Sequence, residues 1–201
     1  MSVPEASAAN TTPSSWLLEF ATGDGPAGFV RLDLRAGEGY AWYWAYLVNI
    51  EDVGGVIVVR DHEVPRPRQG LELRAEGLWA ELGCETPGEH WTFGLEAFGV
   101  RLDDPRDALR AGGEIGDRVA VGLDLEWEAP DIVHGDVLVG RGRWPVDGRG
   151  RFVPGHRLRD EIVAGEPRAL VVIPIDGRVC ERTLVRAPDG AIRWSQRVLA
   201  R

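Results

Sequence analysis

The chain contains no lysine; all 23 of its basic residues are arginines. That excludes Schiff-base chemistry, pyridoxal phosphate attachment, a P-loop lysine and a lysine general base. A basic surplus is missing as well. The 32 acidic residues leave a net charge of −9, which argues against nucleic-acid and anionic-membrane partners. Cysteine is scarce, with Cys84 and Cys180 alone. Two thiols by themselves make no zinc site, and a cytoplasmic chain keeps them as reduced core thiols, with a distant disulfide as the alternative. Long apolar runs are absent too. The longest, 169–175, falls far short of a membrane span.

Several catalytic signatures are also lacking. There is no GxSxG, HExxH or HxH, so neither a nucleophile-elbow serine nor a metal site is expected, and no cofactor. Residues 23–28 match G-x-G-x-x-G as a string, but Pro26 interrupts it and the strand-like FVRLDLR follows. This reads as a hairpin loop. Residues 1–15, MSVPEASAANTTPSS, lack the basic start and apolar stretch of a signal peptide. They read as a disordered lead-in to a single domain over 16–201.

What is present points to an all-β chain. Hydrophobic residues at 44% against 27% charged exclude wholesale disorder. Glycine and proline recur as punctuation between short apolar runs. Strands are predicted at 16–21, 28–35, 40–48, 54–60, 71–75, 77–85, 90–101, 118–128, 132–140, 168–175, 178–186 and 191–199. One short helix is predicted at 104–111, capped by Asp103 or Asp104 with Pro105 in its first turn. The Arg- and Gly-rich stretch 141–166 reads as a long loop. Twelve short strands suggest a closed barrel or a sandwich. The reading favoured is an antiparallel barrel of the calycin (lipocalin-like) kind, which can enclose one small ligand.

Candidate site residues follow from strand alternation. Tyr40, Trp42, Trp44 and Tyr46 share one face of 40–47, and Ala41, Tyr43, Ala45 and Leu47 share the other. Four amphipathic rings in a row suit a ligand cavity, or else they pack against an opposite wall. Three strands oppose an apolar face to one bearing carboxylates: 78–84, 90–100 and 119–128. Glu81 and Glu96 sit mid-strand near Trp79 and Trp91. In an apolar pocket such a carboxyl is raised toward neutrality and acts as an acid. In a solvent-facing position it does neither. Asp61 and His62 at a strand end form a candidate orienting pair, and His90 opens a strand after a turn, near a barrel mouth.

The stretches YWAYL (43–47), DHEVP (61–65), GLWAEL (77–82), CETP (84–87), HW (90–91), GLEAF (94–98) and LDLEWE (123–128) resemble an actinobacterial family distantly similar to the hydroxyneurosporene synthase and AttH-like proteins. The resemblance covers 40–140. It implies a lipocalin-like barrel with an apolar pocket and, in the carotenoid hydratase branch, acid-assisted addition of water to an alkene. Those relatives carry an Asp-His-Ser-Trp-Gly type segment where this chain reads Gly150 to Arg157, and His156 alone matches.

The expectation is therefore a cofactor-free enzyme that cyclises, isomerises or hydrates a terpenoid, polyene or polyketide-like molecule. Glu81, Glu96, His90, His62 and Asp61 would be its acid–base groups, and Tyr40, Trp42, Trp44, Tyr46, Trp79 and Trp91 its substrate-stacking groups. The alternative is a non-catalytic carrier or sensor of a hydrophobic small molecule. An exposed apolar face would suit a homodimer.

Overall fold

The structure, a computed structural model, describes residues 14–35, 37–109, 116–175 and 177–199. Thirteen strands and one 3-10 turn account for most of them. The strands are β1 (Ser15–Ala21), β2 (Ala27–Leu34), β3 (Tyr40–Val48), β4 (Val56–Pro65), β5 (Glu72–Ala75), β6 (Leu78–Thr86) and β7 (His90–Leu102). After the turn come β8 (Asp117–Glu128), β9 (Ile132–Val139), β10 (Gly142–Pro154), β11 (Glu166–Ile175), β12 (Arg178–Arg186) and β13 (Ile192–Leu199).

The first ten strands form one antiparallel sheet in the order β4-β3-β2-β1-β10-β9-β8-β7-β6-β5. An additional β4–β7 pairing, from Val56↔Leu102 to Val58↔Val100, closes eight of them into a ring. The β5–β6 hairpin extends from β7 beyond that closure. The last three strands form a separate sheet, β11-β12-β13.

Two cores result. Leu18, Phe20, Leu32, Tyr43, Leu47, Val59, Phe93, Leu95, Leu123, Leu125, Trp127 and Val137 belong to the buried cluster inside the ring. An eight-stranded ring is just wide enough for side chains to fill it. A second cluster joins the outer face of β1–β4 to the three-stranded sheet, through Leu17, Phe29, Trp44, Tyr46, Val58, Val171, Ile173, Leu184 and Trp194. Strands β1–β3 are thus covered on both faces, which explains their nearly unbroken apolar character. Strands β6, β8 and β9 are covered on one face and alternate.

Two expectations are corrected. Residues 142–154 are strand, not loop. Their arginines and glycines hide it, and Val146 is the one residue in the strand that is fully buried. The strand exists because β1 and β9 supply hydrogen-bond ladders on both sides. The helix expected at 104–111 is a 3-10 turn, Pro105–Leu109, held to the inter-sheet core by buried Ala108; 110 and 111 lie outside the described residues. The lead-in falls almost wholly outside them, and Ser15 already pairs with Asp33. Residues 22–26 are a hairpin turn, with the Thr22 hydroxyl donating to the Pro26 carbonyl. Among the described residues no helix is long and apolar enough to cross a membrane.

Candidate functional site

The aromatic stripe of β3 turns away from the ring interior. Tyr43, Ala41, Ala45 and Leu47 point inward, while Trp44 and Tyr46 pack toward the three-stranded sheet. Tyr46 stacks on Phe29 at 5.1 Å. Trp42 stacks on His62 at 4.6 Å, with the Arg35 guanidinium 4.0 Å from its ring centroid. Tyr40 is half-buried at the end of the stripe. Its phenol is raised above its ordinary value by its hydrogen bond to Glu38. Asp61 pairs with Tyr43 across the ladder, on the opposite face from His62, and accepts the Glu63 amide at 2.8 Å.

Buried charge lies where the two sheets meet. Glu19 of β1 and Arg182 of β12 form a salt bridge with both side chains almost fully covered. Burial pulls the Arg182 guanidinium down to about 9, which leaves it charged at neutral pH. It also lies 4.3 Å over the Phe29 ring, a contact that favours a desolvated cation. Nearby, Arg31 grips Asp33 through Nε (3.0 Å) and a terminal nitrogen (2.9 Å), and its other terminal nitrogen meets Nδ1 of His156. Burial and the Arg31 charge push the His156 imidazole down to about 4, so the ring is neutral. Sequence reasoning passed over Glu19, Arg31 and Arg182. A signal existed: Glu19 inside WLLEFA and Arg31 inside FVRLDL place charges where both neighbours are apolar, and such charges must be paired.

Glu19 links this network to an external cleft of about 730 Å³. The cleft runs between β1, β10, the segment 159–163 and the start of β13. Backbone bonds between Glu161 and Gln196 tie that segment to β13. Ala21, Ile162, Val163, Ile192 and Trp194 supply its apolar lining, and Phe20, whose ring points into the other core, meets it through its backbone. Trp194 is held in place by donating from Nε1 to the Gly28 (3.1 Å) and Phe20 (3.3 Å) carbonyls.

The charged rim is arginine-rich. Arg151 bridges Glu19 (3.0 Å) and Glu161 (2.7 Å), and Arg159 also reaches Glu161 (3.1 Å). Arg149 meets Asp131 at 2.5 Å, and Asp160 accepts the Val198 amide at 2.8 Å. Burial alone would raise the Glu161 carboxyl, but Arg151 and Arg159 together hold it below the usual carboxylate range. The side chains of Arg149 and Arg159 are 71% and 76% exposed, so further N–H groups face solvent at the rim.

A second cleft, of about 640 Å³, lies on the outer face of β6–β9. Trp79, Glu96, Gly122 and Leu138 form a row across it. Gly122 leaves the gap, since a Cβ there would press on the Leu138 side chain. Trp79 donates to Glu72 at 3.0 Å, and exposed Phe98 carries Arg118 over its ring. This brings Trp79 and Glu96 together. Glu81 is exposed on the same face, and Trp91 packs against Phe152.

His90 is half-buried and hydrogen-bonds Glu126 at 2.9 Å. His90, Glu126 and Glu128 bring potential ligand atoms within 4.8 Å of one another. No local motif announced this group, which is assembled from different strands. The cysteines are unpaired: Cys84 is exposed, and Cys180 is buried with its thiol pushed up to about 12.

Neither the family models, nor the curated proteins, nor the solved structures contain a match to this chain.

Proposed function

We propose that this protein is a non-catalytic binder of an amphipathic small molecule, held in the cleft between β1, β10 and β13. The observation that carries this is the pairing of an apolar lining that includes Ile162, Ile192 and Trp194 with an exposed arginine rim at Arg149 and Arg159. A cleft of about 730 Å³ is in the range that takes a drug-sized ligand. Guanidinium groups with donors to spare suit an anionic head, a carboxylate or a sulfonate. The carboxylates of the lining accept from arginines or a backbone amide, an arrangement that suits rim and latch better than proton donation. We read the closed ring as a calycin-like barrel whose interior is core and whose outer face carries the ligand. Its up-and-down strand order supports that reading.

The test uses 1-anilinonaphthalene-8-sulfonate, an apolar body with an anionic head. Saturable binding of one equivalent is expected, weakened at least about tenfold by Arg149→Gln with Arg159→Gln and abolished by Ile162→Glu, with circular dichroism unchanged. Binding that ignores all three substitutions would overturn the assignment.

The second reading, a cofactor-free cyclase, isomerase or hydratase, rests on Trp79 and Glu96 sharing the β6–β9 cleft. A polyene recovered chemically altered, with the change lost in Glu96→Gln, would favour it. Recovery unaltered favours the binder.

A further inference from the structure

We propose that His90, Glu126, Glu128 and His134 form a binding site for a divalent transition-metal ion, zinc by preference, on the outer face of β7–β9. The residues come from three adjacent strands. In the ladder, His90 stands directly opposite Glu128, and His134 directly opposite Glu126. The hydrogen bonds cross that register. His90 Nε2 meets Glu126 at 2.9 Å, and His134 Nε2 meets Glu128 at 3.3 Å. Each imidazole leans past its direct neighbour to the farther carboxylate, so the heads of His90, Glu126 and Glu128 converge over the middle strand, and His134 joins them through Glu128. Facing side chains on neighbouring strands start with Cβ atoms only about 5 Å apart. Ligand atoms of His90, Glu126 and Glu128 all lie within 4.8 Å of one another. Small rotations about the side-chain torsions then bring them to the bond lengths of about 2.0–2.2 Å that zinc takes from imidazole and carboxylate.

The chemistry selects the ion. Two imidazoles with two carboxylates favour zinc and its neighbours over magnesium or calcium, which prefer all-oxygen shells. Two carboxylates balance a dication, and four protein ligands make a closed, structural centre. On binding, each Nε2 gives up the proton it shares with its carboxylate: a neutral ring carries that proton on Nδ1 instead, and an imidazolium releases it to solvent and keeps Nδ1–H, so both rings bind as neutral Nδ1–H tautomers. Side-chain exposures between 31% and 49% keep the group open to ions from solvent. The site shares no residue with the arginine-rimmed cleft.

The experiment is zinc titration of the full chain after EDTA stripping, read by equilibrium dialysis with metal analysis and by thermal melts. One zinc per chain and a rise in melting temperature are expected, and cobalt(II) should give the visible bands of a four-coordinate centre. Because loss of even outer-shell support weakens metal sites about 10–100-fold, His90→Gln with His134→Gln should weaken binding by at least about a hundredfold and cancel the thermal shift. Glu128→Gln, a milder change at an exposed position, should weaken binding at least about tenfold. Glu81→Gln, on the same outer face, should bind as the parent does. Failure of the parent to take up stoichiometric zinc overturns the proposal. So does uptake undiminished in the double histidine variant.

Discussion

Removing the charge of Glu19 should reveal what the join between the two sheets is worth. Its carboxylate faces Arg182, which is 3% exposed and belongs to the opposite sheet. In Glu19→Gln the amide keeps the shape of the side chain while the guanidinium stays buried without its counter-charge. Breaking a buried pair from one side costs about 3–5 kcal/mol. The Phe29 ring, 4.3 Å from the guanidinium, offsets about 1 kcal/mol of that. A net loss of about 3 kcal/mol is therefore expected, which for a chain this size lowers the melting temperature by about 6–12 °C. Removing both charges, as in Glu19→Leu with Arg182→Met, should restore most of it, because an apolar pair of similar volume does about as well as a buried ion pair. Urea unfolding of Glu19→Gln, of Glu19→Leu and Arg182→Met singly, and of their combination, followed by circular dichroism and tryptophan fluorescence, gives the values. A Glu19→Gln loss under about 1 kcal/mol, or a double variant whose loss equals the sum of the two single variants, would refute the reasoning.

Three further outcomes are expected. His156 is neutral in the folded state, with a value of about 4 against 6.5 in the unfolded chain. Between those two values the unfolded state holds the extra proton, so stability falls as pH drops from 6.5 toward 4, by about 3 kcal/mol in full. Urea melts at pH 7.5 and 4.5 should show this slope, and His156→Gln should flatten it. Trp194→Ala opens the buried seat between β13 and β1–β2 and should cost about 3–5 kcal/mol by thermal melt. Gly135→Ala should unfold the chain or lower its melting temperature sharply. The backbone there has φ +128°, and a Cβ would overlap the Asp124 carbonyl oxygen of the neighbouring strand.

Legibility followed burial. Where one face of a strand meets water, as in Leu78–Thr86 or Asp117–Glu128, the alternation of apolar and charged residues reveals both the strand and its inner face. In Tyr40–Val48 the alternation of large rings was equally plain, yet both faces are covered. Nothing in Trp42 or Trp44 could say which side looks into the ring. Gly142–Pro154 escaped notice because its strand character comes from its neighbours rather than from its own arginines and glycines. The His90–Glu126 and Glu128–His134 pairs depend on the register of three strands, which a linear reading does not contain. The Glu19–Arg182 pair spans 163 residues and two sheets.

The ring closes through three rungs, Val56↔Leu102, Ile57↔Arg101 and Val58↔Val100, whereas β7 and β8 share twelve. Past that short seam β7 turns to pair with β6 instead. Opening it breaks few backbone bonds, and of the two joins that could open without disturbing any hairpin, this one and β1–β10, it has the fewer rungs, three against six. Native-state hydrogen exchange should find its first cooperative sub-global opening there, at the amides of Val56 to Val58 that face β7. In a folding sequence this seam forms only after the hairpins on either side have set their registers.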